Sequence, residues 1–327
     1  MTRLLQKITK NLILAIPATM LLGFLFGLTA DVHWLRNLII PFTFLMVYPM
    51  MVTLKVQQVF QGGDTKAQVL AQTVNFVVIP FLAWAIGQVF FEHRPFMALG
   101  LLLAGLLPTS GMTISWTGFA KGNVAAAVKM TVVGLVVGSL ATPIYVQALM
   151  GTAIEVNVAA VFKQICVIVF LPMALGYATQ RMLVKRYGQE TFQTQFGPRF
   201  PPLSTLGVLG VVFVALALKA RTIMNSPEVL LAILAPLALL YAINFTLSTI
   251  VGKRFLSRND AIAMVYGSVM RNLSIALAIA MNAFGEQGAD AALVVAAAYI
   301  IQVQSAAWYV RLTGRLFGVS SEKSVTA

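Results

Sequence analysis

The chain has 327 residues, 59% of them hydrophobic and only 10% charged, with a mean hydropathy of +0.86 and a net charge of +13. Soluble domains carry about 25% charged residues, and no soluble core absorbs this much apolar surface, so the composition excludes a soluble globule and implies a polytopic, all-α membrane protein. The positive charge gathers in alternate loops and forms no basic patch interleaved with stacking aromatics, which excludes nucleic-acid binding.

Ten apolar runs of spanning length follow one another, at about 11–30, 36–55, 68–91, 95–120, 123–149, 158–181, 202–219, 227–250, 260–284 and 289–312. The first is long enough to span and lacks a small-residue cleavage pattern, so a cleavable signal is not expected. The fourth carries "LLPTSGMTISW", with Pro108 and Gly111 at mid-depth, where proline removes a backbone donor and crowds the preceding turn. The ninth carries "SVMRNLS" at similar depth, with a polar cluster and no proline. The longest loop, about 182–201, divides the runs into five and five. A single membrane domain (1–327) is expected, made of repeats 11–149 and 158–312 and a short tail, 313–327. Odd-numbered halves must insert in opposite orientations, which predicts an inverted repeat with matched interruptions in spans four and nine.

Of the 23 Lys and Arg residues, Arg36, Arg94, Lys219 and Arg221 fall on one side, Lys129, Lys163 and Arg271 lie inside runs, and the other sixteen fall on the side of both termini. That imbalance places both termini in the cytoplasm, in a bacterial inner (plasma) membrane.

Charges near a bilayer centre cost about 2.5–3.5 kcal/mol and usually mark a function. Every Asp and Glu is predicted in a loop, a tail or at a run's edge. Lys163 can snorkel outward and Lys129 toward the cytoplasm. Arg271 is too central, and with no buried acid as a mate it must meet backbone carbonyls, water or an anionic ligand. Around it, Thr109, Ser110 and Thr113 of span four, Ser268, Asn272 and Ser274 of span nine, Asn75 of span three and Asn244 of span eight are candidate substrate-binding groups. The lone cysteine, Cys166, lies in an apolar run and His33 and His93 in short loops. No metal cluster, cofactor or catalytic constellation is expected, and the loops are too short for a receptor's signalling domain.

At the two interruptions the chain resembles a known family. "PTSGMTISWTGFAKGN" (108–123) is similar to the fourth-helix motif of the bile acid:sodium symporter superfamily, ending in its "AKGN", and "MVYPMMVTLKVQQVF" to that family's second-helix end. Met270-Arg271-Asn272 stands where the symporters have "MQN", and "LSIALAIAMNAFG" looks more like the related arsenite efflux permeases. The resemblance implies ten helices in a panel domain (spans 1, 2, 6 and 7) and a core domain (3–5 and 8–10), with helices four and nine unwound and crossing beside the substrate.

The family's sodium ligands fall at Thr113 and Ile114, at Ala127 and Thr131, and at Gly267 and Arg271. Most of these positions lack a side-chain oxygen, and hard cations need oxygen ligands. Sodium coupling by the family route is therefore not expected. The arsenite permeases' cysteine falls at Thr109 and their glutamate at Ser274. The leading expectation is a carrier for a small organic anion, with Arg271 as a built-in cation; the alternative is a metalloid or oxyanion exporter. Monomer and homodimer both stay open.

Overall fold

The computed structural model describes residues 12–54, 64–154, 156–225 and 228–318. These residues are almost entirely helical: α1 (Leu12–Thr29), a 3-10 turn (His33–Leu38) leading into α2 (Ile39–Val52), α3 (Thr65–Thr73), α4 (Ile79–Phe90), α5 (Pro95–Leu106), α6 (Gly111–Phe119) and α7 (Val124–Met150). There follow α8 (Val158–Ile165), α9 (Leu171–Tyr187), α10 (Phe200–Asn225), α11 (Glu228–Phe255), α12 (Arg258–Val269), α13 (Leu273–Ala283) and α14 (Gly288–Phe317). Among the described residues, seven helical stretches are long and apolar enough to cross a membrane, and α1, α5 and α13 are shorter apolar helices. The protein is a polytopic membrane protein.

The linker expected as a loop at 182–201 is helical instead. α9 continues to Tyr187, and short turns from Gln189 to Arg199 lead into α10. Its polar side chains hid the helix from a reading based on apolar runs.

Proline does not by itself break these helices. Pro17, Pro49, Pro143 and Pro236 sit inside continuous ones. Pro80 and Pro172 each follow a π turn, at Val74–Val78 and Cys166–Phe170. A proline lacks the N–H that the carbonyl four residues earlier would accept, and a π turn absorbs the mismatch. For Pro80 that carbonyl belongs to Phe76, and the Tyr145 hydroxyl donates to it. At Pro108 the outcome differs: the chain leaves helical geometry at Leu107, the residue before the proline, and Thr109 after it has φ of 65°.

The helices pack in two groups. α1 and α2 pack against α10, and α9 packs against α2. Close approach is possible because Gly27 faces Ala217, whose carbonyl oxygen would lie 2.2 Å from an added Cβ. This is the small-residue packing typical of membrane helices. The second group holds α3–α7 with α11–α14. Apart from helices consecutive in the chain, the main contacts between groups run through α13 and α14, which touch α1, α2, α8 and α10.

Candidate functional site: the crossing of two broken helices

The two interruptions meet. Pro108 and Arg271 form an isolated antiparallel bridge, and the Asn272 N–H donates to the Leu107 carbonyl at 2.8 Å. A peptide group left unpaired in hydrocarbon costs several kcal/mol. Breaking two helices at one place lets each satisfy part of the other's exposed backbone. α5 and α12 end at the crossing, while α6 and α13 begin there.

Both new helix starts are capped. Ser110 Oγ accepts from the Met112 N–H at 3.2 Å, and Thr113 Oγ1 accepts from the Ser110 N–H at 3.1 Å, a reciprocal capping box. Asn272 Oδ1 accepts from the Ile275 N–H at 3.3 Å. A positive φ is costly for a β-branched residue, and Thr109 is held there by its hydroxyl. Its Oγ1 lies 2.6 Å from the Pro108 carbonyl oxygen and 3.3 Å from those of Met130 and Thr131. α7 comes this close because Gly134 offers no Cβ, which would stand 2.6 Å from Thr109 Oγ1.

The broken end of α12 is satisfied by side chains. Asn75 Nδ2 donates to the Gly267 carbonyl at 3.0 Å and Asn244 Nδ2 to that of Ser268 at 3.1 Å. The Ser268 hydroxyl donates back to Asn244 Oδ1 at 3.0 Å, as Ser248 does at 3.1 Å. Gln302 of α14 acts as a strand surrogate. Its Oε1 accepts from the Arg271 N–H at 2.8 Å and its Nε2 donates to the Arg271 carbonyl at 3.1 Å. The Tyr241 hydroxyl donates to the same Oε1 at 2.8 Å, and Ser274 pairs with the Tyr299 hydroxyl at 2.6 Å.

Gln302, Tyr241 and Tyr299 escaped sequence reasoning. Each lies in a long, mostly apolar run, with nothing local to say which way it faces. The one available signal was an amide at Gln302 in the middle of α14. Replacing Gln302 with leucine strands the Arg271 N–H and carbonyl and the Tyr241 hydroxyl. At about 1–3 kcal/mol for each unpaired buried group, Gln302→Leu is expected to lower stability by about 3 kcal/mol, read as a fall in the Tm of the purified protein.

With these partners assigned, one side chain stands out. Arg271 is 2% exposed, and its Nη1 and Nη2 are buried without a protein partner among the described residues. The neighbouring carbonyls of Leu107, Pro108, Gly267 and Ser268 already accept from Asn272, Thr109, Asn75 and Asn244. Asn272 Nδ2 and Asn75 Oδ1 are likewise buried and unpartnered.

The sodium-ligand positions do not fit a hard cation. The Thr131 hydroxyl donates its proton to the Ala127 carbonyl at 2.8 Å, Thr113 Oγ1 serves the capping box, and Ala127 and Ile114 offer no side-chain oxygen. A Cβ added at Gly267 would lie 2.5 Å from Met130 Sδ, so a glutamate there needs Met130 to move.

Lys129 and Lys163 differ. Lys163 is exposed, whereas Lys129 is buried and its Nζ lies 2.6 Å from Asp64 Oδ1. Asp64, expected in a loop, is itself buried at the start of α3, where Gln68 Nε2 donates to its other oxygen at 3.2 Å. The acid was misjudged because it borders a polar stretch, and burial there depends on α7 packing over it. The "AKGN" segment fastens the base of this group: Asn123 Nδ2 donates to Asp260 Oδ1 at 2.7 Å and Arg258 Nη1 to the Lys121 carbonyl at 3.0 Å.

Comparison with known proteins identifies the family of the chain. A family model described as the sodium bile acid symporter family matches residues 40–226, more than half of the chain. An uncharacterised transporter of Synechocystis, slr0944, is 25% identical over 297 residues, 82% of this chain and 76% of its own. The arsenical-resistance protein Acr3 of Alkaliphilus metalliredigens is 25% identical over 266 residues, 77% of this chain and 74% of its own. YbaS of Bacillus subtilis is 24% identical over 220 residues, covering 67% and 70%. Together with that match, the all-helical, apolar architecture makes this chain a member of the sodium bile acid symporter family of transporters.

Proposed function

We propose that this transporter is an alternating-access carrier of a small organic anion, bound at the crossing by Arg271. The observation that carries the reading is the buried guanidinium whose Nη1 and Nη2 have no protein partner among the described residues. A fork of N–H donors at that depth fits a carboxylate, which accepts two parallel charge-assisted hydrogen bonds. α6 and α13 begin at the same place, and helix N-termini favour negative charge. Asn272 Nδ2 adds a donor, and Ser274, Thr109, Ser110, Thr113, Ser268, Asn75 and Asn244 hold the two breaks in register.

In this reading the chain crosses the membrane ten times. The seven long stretches and α1 are joined by the pairs α5–α6 and α12–α13, each pair one broken span. The repeats are 11–149 and 158–312. The group around α10 is the panel and the other the core, with both termini cytoplasmic in a bacterial inner membrane.

Arg271 supplies permanently the charge that sodium supplies in relatives, and the positions Thr113, Ile114, Ala127, Thr131 and Gly267 do not rebuild an ion site. Uptake of its anion into proteoliposomes is therefore expected at equal rates with sodium or potassium outside. A sodium-dependent rate, reduced tenfold or more by replacing sodium, would contradict the built-in cation.

The likeness to two arsenical-resistance proteins, at 25% and 21% identity, supports a second reading, metalloid or oxyanion efflux. Thr109 and Ser274 stand where the arsenite permeases' cysteine and glutamate fall, and a soft thiolate is the natural ligand for trivalent arsenic. Expression in an arsenite-sensitive host distinguishes the two: resistance supports efflux, and its absence together with carboxylate uptake supports the anion carrier.

A further inference from the structure

Among the described residues, the ion pairs between the two helix groups lie at one end of the molecule. Arg36, just before α2, pairs with Glu286, in the turn between α13 and α14. Lys219 of α10 pairs with Asp290 in the first turn of α14, Nζ to Oδ1 2.8 Å. Toward the same end Asn282 Nδ2 of α13 donates to Thr43 Oγ1 of α2 at 3.2 Å. In both ion pairs the cation belongs to the α10 group and the acid to the other group, so the charges are complementary across one seam.

Among the described residues the opposite end is built differently. There α3, α6 and α12 make their main contacts within their own group. The Lys129–Asp64 pair and the Asn123–Asp260 and Arg258–Lys121 hydrogen bonds are also internal to that group. Main contacts between the groups run through α13, which extends from the crossing to the Glu286 end, and through the length of α14.

We propose that Arg36–Glu286 and Lys219–Asp290 are a two-point latch that closes the outer mouth of the transporter. The proposal rests on the alternating-access reading and on the orientation given above, in which Glu286 lies outside. A single exposed ion pair contributes little, and Arg36 and Glu286 have side-chain exposures of 37% and 73%. Lys219 and Asp290 are more enclosed, at 19% and 29%. Two pairs breaking together bias a two-state equilibrium without locking it, and a latch released in every cycle must be weak in this way.

The test uses a reporter cysteine, Asn282→Cys, at the seam, in a Cys166→Ser background. A membrane-impermeant maleimide is added to right-side-out vesicles. Neutralising both acids (Glu286→Gln with Asp290→Asn) is expected to raise the labelling rate roughly three- to tenfold. Raising the external salt to about 0.5 M should speed labelling of the protein with intact pairs by screening them, and leave the neutralised one unchanged. The salt arm needs no change at the latch, so it decides the matter even if the neutralised protein folds poorly. The charge-exchanged Lys219→Asp/Asp290→Lys protein should label slowly again. Equal labelling of intact and neutralised proteins at every salt concentration overturns the latch, as does labelling confined to inverted vesicles. The assay needs no substrate, so a failure of the Arg271 reading leaves its outcome unaffected.

Discussion

Arg271→Gln is expected to abolish anion transport and at the same time to stabilise the substrate-free protein. The two effects have one cause. A buried guanidinium with Nη1 and Nη2 unpartnered among the described residues carries a desolvation cost that a bound anion offsets. A central charge costs about 2.5–3.5 kcal/mol on insertion scales, and glutamine removes it while keeping a polar side chain at the crossing. A Tm increase worth about 2 kcal/mol is expected in the absence of substrate. Truncating one partner of a buried, hydrogen-bonded charge pair costs about 2–5 kcal/mol of binding, or about 30- to 4000-fold in affinity. A structural arginine predicts the opposite sign: Arg271→Gln would then lower Tm, and transport would fall only as far as folding does.

The second large effect is at the Asp64–Lys129 pair. Removing one partner of a buried ion pair leaves an uncompensated charge and costs about 3–5 kcal/mol, whereas replacing both by apolar residues of similar size is near neutral. Asp64→Leu is expected to destabilise by about 3 kcal/mol. The double replacement Asp64→Leu/Lys129→Met should recover most of that loss, because no charge is left at the α3–α7 contact. Chemical or thermal unfolding of the four proteins of this cycle gives the coupling directly. Additive losses in the double replacement would show that the pair is not a mutual neutralisation.

Some of this organisation was legible in the residues. The composition requires a membrane protein, and the apolar runs fall on helices almost throughout. Pro108 and Arg271 mark the interruptions because a proline and a permanent charge are both conspicuous in hydrocarbon. The meeting of those interruptions was carried by the resemblance of 108–123 to a known motif; no local signal predicts that Pro108 and Arg271 share a bridge.

What stayed hidden has a common physical basis. Spacing along one helix says nothing about which neighbour it faces, so the donation from Asn75 to Gly267 and from Asn244 to Ser268 was legible only as polar residues inside spans. The hydroxyls of Thr109, Thr113, Ser268 and Ser274 were expected around a substrate cavity. In the structure each has a protein partner, and Arg271 and Asn272 are the residues of the two breaks that keep unpartnered buried donors among the described residues. Two broken helices demand many side-chain acceptors and donors before any are left for a ligand. Gln302, invisible by pattern, satisfies both backbone groups of the residue on which the binding proposal turns.

The most direct test of Arg271 as the anion site is ligand-induced thermal stabilisation of purified protein, unmodified and Arg271→Gln, against monocarboxylates and dicarboxylates of two to six carbons and against arsenite. A ligand at a hundred times its Kd stabilises by about 2.7 kcal/mol, a shift well above noise. At least one carboxylate should stabilise the unmodified protein and none should stabilise Arg271→Gln. Equal stabilisation of both by the same carboxylate, or stabilisation by arsenite alone, would contradict the assignment.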